Sequence, residues 1–389
     1  MSTTYEEEIR ELVKRIHQTP GRVLLVAAGA GTHALAWLLG VSGATRTLLE
    51  ALIPYDESSF DDFLGRKPAK YVAARTAGLL AGRAVARASH LYRGDEPVIG
   101  LACSATIITD RPKKGQHRAH ITVWTGNEVD RYALYLHKGI RDRQGEEDLV
   151  SLVIMNALSR AYDLGVELPL PLHDEDRFSR DCFDISGELR KVFDGSSDRF
   201  GIRDDGRPYG RKSNPKAILS GAFYPLHDGH LGLADIASQI LGHEVAFELA
   251  ATNAGKPSIS EDQCKQRLLQ FAGRNAVFVS NAPLFSAKAE LYPGATFVVG
   301  VDTAQRILQP RYYDDSIDIM YAALERFKQR GCGFLVAGRV DERGEYHRAV
   351  DLAPPDQFSG LFRAIPGDQF RIDISSTSMR KRGSFSGAE

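Results

Sequence analysis

Cysteine is scarce in this chain of 389 residues: Cys103, Cys182, Cys264 and Cys332 stand far apart, with no Cys-x-x-Cys pair. That spacing offers neither a zinc pattern nor a disulfide framework, and it fits a reducing compartment. An excess of charge is missing as well. Lys and Arg number 49, Asp and Glu 50, and the net charge is −1. A general nucleic-acid binder or a protein held on anionic membranes carries a basic excess, so neither partner is expected, although a local basic groove is still allowed. No apolar run approaches the ~20 residues that cross a bilayer. Residues 1–10 are acidic and lack the basic start and apolar stretch of a secretory leader. The expectation is a soluble, cytoplasmic protein. Also missing is Gly-x4-Gly-Lys-Ser/Thr, so a nucleotide site here is not a P-loop.

What is present is globular: 43% hydrophobic and 25% charged residues. The length exceeds one ordinary core, so two domains are expected. Ile9, Leu12, Val13 and Ile16 recur at helical spacing. An apolar strand over 22–28 runs into Gly29-Ala-Gly31-Thr32 and a helix through Leu39. Gly-x-Gly-x-x-Ala after a strand is a weak dinucleotide fingerprint. Glu50 stands at a plausible distance for its ribose carboxylate, but in a helical pattern over 46–52 and not at a strand end. A strand over 97–105, a hairpin of His117–Trp124 with Arg131–His137, and a helix over 146–164 complete an α/β domain over residues 1–166. Pro, Asp, Ser and Arg dominate the next stretch, so 167–215 reads as a linker with one short helix over 185–193. The second domain covers 216–389.

The second domain opens with a buried strand, Ala217 to Ser220. A turn through Gly221, Ala222 and Phe223 comes next, and then His227-Asp-Gly229-His230 starts a helix. Free N–H groups and the positive end of the dipole at such a start favour phosphate. Gly229, lacking Cβ, lets backbone approach closely. The plain alternative is a structural turn with two incidental histidines. Further strands end near Asn253, Asn281 and Asp302, the edge at which open parallel sheets bind ligands. After a last strand over 370–373, Ser375, Ser376, Thr377 and Arg380 place three hydroxyls and a guanidinium at a helix start, a second anion cradle. Two cradles with Lys256 and Arg267 between them describe a nucleoside triphosphate pocket. Attack of a phosphate on the α-phosphorus of such a triphosphate needs alignment and charge neutralisation more than covalent help, with Mg²⁺ sharing the triphosphate.

Each domain resembles a known family. Gly221-Ala-Phe-Tyr-Pro-Leu-His227-Asp-Gly-His230 resembles the Gly-Ser-Phe-x-Pro-x-His-x-Gly-His of the nucleotidylyltransferase superfamily, and Ile374 to Arg380 resembles its Ile-Ser-Ser-Thr-x-x-Arg. Gly300-Val-Asp302 followed by Gln309-Pro-Arg-Tyr-Tyr is similar to the segment of nicotinamide and nicotinate mononucleotide adenylyltransferases that ends in Pro-x-x-Trp. The resemblance implies a Rossmann-like parallel sheet. It implies His227, His230, Lys256 and Arg380 as catalytic groups on the triphosphate, with Gly221, Ala222, Phe223, Gly229, Asp302, Ser375, Ser376 and Thr377 binding nucleotide. Asn253, Arg267 and Tyr313 would meet the acceptor. Tyr313, or Tyr312 by a one-residue shift, replaces the ring-stacking tryptophan. The implied reaction is adenylyl transfer from ATP, with Mg²⁺, to a pyridine mononucleotide. Another phosphorylated acceptor with ATP or CTP, and a non-catalytic nucleotide sensor or scaffold, remain the alternatives.

Residues 22–164 resemble the C-terminal domain of the CinA family, which includes nicotinamide-mononucleotide amidases. The resemblance rests on Leu38-Leu39-Gly40-Val41-Ser42-Gly43-Ala44-Thr45, on Tyr55, on Gly100-Leu101-Ala102 and on Lys113-Lys114-Gly115. The family's nucleophile position is Ala28, its lysine falls near Phe60 and its threonine is Ile99. A methyl cannot replace a nucleophilic hydroxyl, so this domain is expected to keep the fold without the amidase. Thr32, Ser104 and Thr106 are the candidates for a relocated nucleophile. No metal site is expected, and the oligomeric state stays open, a homo-oligomer included.

Overall fold

A computed structural model describes residues 3–111, 114–210, 213–251, 259–340, 346–347 and 351–367. Asn253, Lys256, the expected strand over 370–373 and the motif from Ile374 to Arg380 lie outside the described residues. The chain forms two compact α/β units. The first holds Met1–Gly187 with Ile202–Pro208 and Leu268–Asn275, and the second holds Glu188–Gly201, Tyr209–Arg267 and Ala276–Glu389.

In the first unit the order is α1 (Thr3–Gln18), β1 (Arg22–Ala28), α2 (Thr32–Leu39), α3 (Ala44–Thr47), β2 (Leu48–Leu52), α4 (Glu57–Leu64) and α5 (Ala74–Leu91). Then come β3 (Val98–Thr106), β4 (His117–Trp124), β5 (Glu128–Leu136), α6 (Arg143–Ala161) and β6 (Arg177–Asp184). The sheet runs β2-β1-β3-β4-β5-β6. β1 pairs in parallel with β2 and β3, and the strands from β3 to β6 are antiparallel. β1 is apolar on both faces because both are covered, as parallel strands require. Its Val23, Leu25 and Ala27 share a core with Ile9, Leu12, Val13 and Ile16 of α1 and with Val150, Val153 and Ile154 of α6.

Two expectations change. The helix expected over 46–52 is one turn, α3, followed by the strand β2; a short apolar run does not by itself choose between the two. Glu50 therefore sits within a strand, and its carboxylate takes both Nε and Nη2 of Arg87. The stretch 167–215 is not bare linker. It supplies β6 to the first sheet, α7 (Ile185–Phe193) and β7 (Arg199–Ile202), an edge strand of the second sheet.

In the second unit β8 (Ala217–Gly221), α8 (Asp228–Leu241), β9 (Val245–Ala250), α9 (Glu261–Leu269), β10 (Val277–Ser280), α10 (Phe285–Leu291), β11 (Thr296–Gly300) and α11 (Val301–Ile307) come in turn. Beyond them lie α12 (Ile317–Gln329), β12 (Gly333–Ala337), the short pair β13 (Arg339–Val340) and β14 (Tyr346–His347), and β15 (Phe362–Ala364). The sheet order is β15-β12-β11-β8-β9-β10-β7, parallel from β10 through β15. Numbered from β8, the parallel strands lie 3-2-1-4-5-6, the doubly wound order. Aromatic rings fill one side of this sheet: Phe327 and Phe334 stack at 4.3 Å, and Phe297 and Phe358 are buried with them. A buried ion pair crosses it, Lys288 Nζ to both oxygens of Glu248 on β9, with Ser280 Oγ donating to the same carboxylate.

Candidate functional site

β8 ends in a turn whose shape is set by two residues. A Cβ on Gly221 would come within 2.8 Å of the Phe223 ring. Phe223 itself has φ 45°, the left-handed region that bulky residues seldom occupy. That conformation turns its ring inward, 2% exposed. There it meets His230 edge-on at 5.0 Å and Phe247 at 5.2 Å. The turn thus builds an aromatic floor beneath the histidine.

α8 then starts at Asp228, with His227 extended in front of it and the His230 N–H closing onto the His227 carbonyl at 2.8 Å. The two imidazoles lie nearly parallel, centroids 3.7 Å apart. His227 is buried, and neither of its ring nitrogens has a hydrogen-bond partner among the described residues; Nδ1 of His230 has none either. Buried polar atoms left without any partner cost about 1–3 kcal/mol each, and water or a bound ligand can satisfy them. Burial holds both rings neutral. It lowers the pKa of His227 against the pull of Asp228, and it lowers that of His230 to about 3, with His227 adding to the effect. A neutral imidazole keeps one N–H to donate, and an arriving polyanion favours the protonated form.

Arg267 of α9 is placed by the same turn. Its Nη1 donates to the Ala222 carbonyl at 3.2 Å, and its guanidinium lies 4.9 Å over the Tyr224 ring. Asp302 is half-buried at the start of α11, directly after β11. β8 and β11 are neighbours in the sheet, and the strands that succeed them, β9 and β12, lie on opposite sides. The turns after β8 and β11 therefore flank the switch point of the sheet, the crevice at which this fold class binds ligands. His227, His230, Gly221, Phe223, Arg267 and Asp302 are thus on this one edge, with Gly229 inside the first turn of α8.

Tyr313 stands differently from what its motif suggests. It is packed against the core of the second unit, its hydroxyl donates to the Ile307 carbonyl at 3.1 Å, and burial pushes its pKa up to about 12. The neighbouring Tyr312 is 37% exposed, with Arg311 5.0 Å over its ring.

In the first unit, the turn between β1 and α2 has a different occupant. Gly29 has φ 89°, and a Cβ there would lie 2.0 Å from the Ala105 carbonyl oxygen. The turn points successive N–H groups at one place. Oε1 of Glu147, from α6, receives Gly31 N at 2.9 Å, Thr32 N at 2.6 Å, Thr32 Oγ at 2.9 Å and His33 N at 3.3 Å. Beside it His33 Nδ1 meets Asp148 at 2.7 Å. The anion position of this turn is filled by the chain's own carboxylate. Sequence reasoning does not single out Glu147; its only signal is the acidic run Glu146-Glu147-Asp148 near the start of an otherwise apolar helix. Ala28, Phe60 and Ile99 are buried hydrocarbon positions, and the Ser104 hydroxyl donates to the Tyr71 carbonyl at 2.6 Å.

Two α/β domains, the second with a doubly wound parallel sheet, define the structural class. No family model matches the chain, and no curated protein matches it. Among solved structures it is similar to the competence/damage inducible protein CihA from Agrobacterium tumefaciens, with 16% identity and a TM-score of 0.33, over 41% of this chain and 96% of that one. It is also similar to a CinA superfamily protein from Klebsiella pneumoniae, with 11% identity and a TM-score of 0.32 over 41% and 98% of the two chains. A third is the CinA superfamily protein from Escherichia coli, with 15% identity and a TM-score of 0.32 over 42% and 93%. These likenesses fall on the N-terminal part of the chain.

Proposed function

We propose that the second domain transfers an adenylyl group from ATP to a pyridine mononucleotide, nicotinamide or nicotinate mononucleotide, and releases pyrophosphate. The observation that carries this reading is the stacked pair of buried His227 and half-buried His230, with both ring nitrogens of the first and Nδ1 of the second unpartnered among the described residues, at a helix start on the switch point of a doubly wound sheet. An oxygen of the acceptor's phosphate attacks the α-phosphorus, and the bond from that phosphorus to the α–β bridging oxygen breaks. The electron pair leaves with pyrophosphate, and no proton has to be taken from the attacking oxygen. What the site must supply is alignment and donors for the growing negative charge. The imidazole N–H groups and the N–H groups at the start of α8 supply donors, and Arg267 supplies a cation held in place by the turn. Mg²⁺ arrives chelated by the triphosphate as part of the substrate. Lys256 and the hydroxyls of Ser375, Ser376 and Thr377, with Arg380, would complete the clamp.

The acceptor is the finer half of the proposal. Tyr313 is committed to the Ile307 carbonyl, which favours a second reading in which the acceptor is another phosphorylated small molecule, such as a sugar, alcohol or pantetheine phosphate, with ATP or CTP. Purified protein with ATP, Mg²⁺ and either pyridine mononucleotide should release pyrophosphate and form a dinucleotide. Release only with a different acceptor selects the second reading. No release from a panel of acceptors with both triphosphates, despite binding, leaves a nucleotide sensor. For the first domain, the methyl at Ala28 and the filled turn support a fold that no longer hydrolyses amides; ammonia release from nicotinamide mononucleotide in a His230→Ala chain would refute that.

A further inference from the structure

Around Arg83 on α5 the first unit gathers arginines, not all of which have a carboxylate partner among the described residues. Arg83, on α5, is half-buried. Its Nε donates to the Phe63 carbonyl at the end of α4, at 3.3 Å, and no carboxylate pairs with it among the described residues. Three more arginines lie near enough to repel it. Arg87 lies one turn further along α5, on the same face. Arg66 lies three residues beyond Phe63, just past the end of α4. Arg274 follows Gly273, which packs so tightly on α5 that a Cβ there would lie 2.4 Å from the Arg83 backbone nitrogen and 2.8 Å from its Cγ. Arg66 is matched by Asp204, which also holds Arg75, and Arg87 is matched by Glu50. Arg83 and the exposed Arg274 have no such match among the described residues. The guanidinium of Arg83 is pushed down to about 10, first by burial and then by Arg274, Arg66 and Arg87. Removing a guanidinium from water without a counter-ion is costly, and repulsion from like charges adds to the cost. The helix-end carbonyl offsets only part of it.

We propose that Arg83, Arg274, Arg66 and Arg87 form a binding site for a small molecule bearing a phosphate dianion, with Arg83 at its floor and Arg274 at its rim. Half-buried Arg83 lacks the counter-ion that burial calls for, exposed Arg274 can add a second guanidinium, and their planar forks suit phosphate oxygens taken two at a time. The site belongs wholly to the first unit and does not rest on the nucleotidyl-transfer reading.

The test uses the full chain carrying His227→Ala and His230→Ala, which weakens phosphate contacts at the second domain. Binding of inorganic phosphate, pyrophosphate and AMP is measured by calorimetry at low and moderate salt. Arg83→Met and Arg274→Met are each expected to weaken the tightest of these by about tenfold or more. Arg83→Met is also expected to raise the unfolding temperature without anion, because it removes an unmatched charge, and to abolish the rise that the anion gives. Arg274→Met, at an exposed position, keeps the test available if Arg83→Met does not fold. Unchanged binding in the variants, or a lower unfolding temperature for a folded Arg83→Met without anion, overturns the proposal. Preference for a single-stranded oligonucleotide over all three small anions overturns it too.

Discussion

A histidine that stays neutral because it is buried leaves its mark on the acid side of a stability curve. His230 has a folded pKa of about 3 against 6.5 for the free side chain. Between those values the unfolded chain binds a proton that the folded chain does not, so stability is greatest above pH 6.5 and falls as pH drops toward 3. At pH 5 this loss is on the order of 1–2 kcal/mol. His227 shifts in the same direction and adds to it. His230→Asn should therefore lose less stability than the parent between pH 7 and pH 5, as read from urea midpoints; equal losses would mean that the ring is better solvated than its surroundings indicate. In the adenylyl transfer proposed above, His230→Ala should cost about 10²-fold or more in kcat with little loss of fold, the scale of a removed transition-state donor. An unchanged kcat would take His230 out of the site. The histidine pair is legible in the sequence because a glycine and two histidines at that spacing after a strand have few other uses. The burial that neutralises them is not, since Phe223 acts through a left-handed φ that no pattern announces.

At the scale of elements, the turn after β1 is visible in the sequence as a glycine turn between a strand and a helix, but the carboxylate that fills it is not. The glycines of that turn are visible in the sequence, and Gly29→Ala should destabilise the first unit by more than ~2 kcal/mol, because the new Cβ has nowhere to go and φ is positive. Glu147, which fills the turn, lies 115 residues away from Thr32, beyond the reach of any local signal. Glu147→Ala would leave the N–H groups and a hydroxyl without their acceptor, so a loss of about 2–4 kcal/mol is expected, with a smaller loss for Glu147→Gln, which keeps an acceptor oxygen. Chemical denaturation of the two variants measures the difference; equal losses would show that charge and not hydrogen bonding holds the turn. β2 departs from the helical expectation for a physical reason: four of the five residues in Leu48-Leu-Glu-Ala-Leu are apolar, and only the vacant edge of β1 decides that they extend. β6 leaves no trace in the sequence because its residues are largely exposed, so no alternation of apolar and polar residues marks it.

At the scale of the molecule, the first compact unit is not continuous in sequence. Residues Ile202–Pro208 and Leu268–Asn275 belong to it, and Gly78 and Gly82 of α5 leave room for their backbone. A fragment ending at Gly187 lacks both segments and strips Asp204 from Arg66 and Arg75. Such a fragment is expected to express poorly or to unfold at a lower temperature than the same unit in the full chain; equal thermal stability would show that the two segments contribute little. The doubly wound order has a consequence in time. β8 comes first in its domain yet sits in the middle of the sheet, between β9 and the much later β11. At roughly 5–20 residues per second of synthesis, several seconds separate the emergence of β8 and β11 from the ribosome. The histidine turn is thus made early, and its crevice gains a second wall only when β11 docks. A nascent chain stalled before Thr296 would present the histidines without the β11 side of the crevice, so any ligand of that crevice can stabilise the domain only once the chain has passed β11.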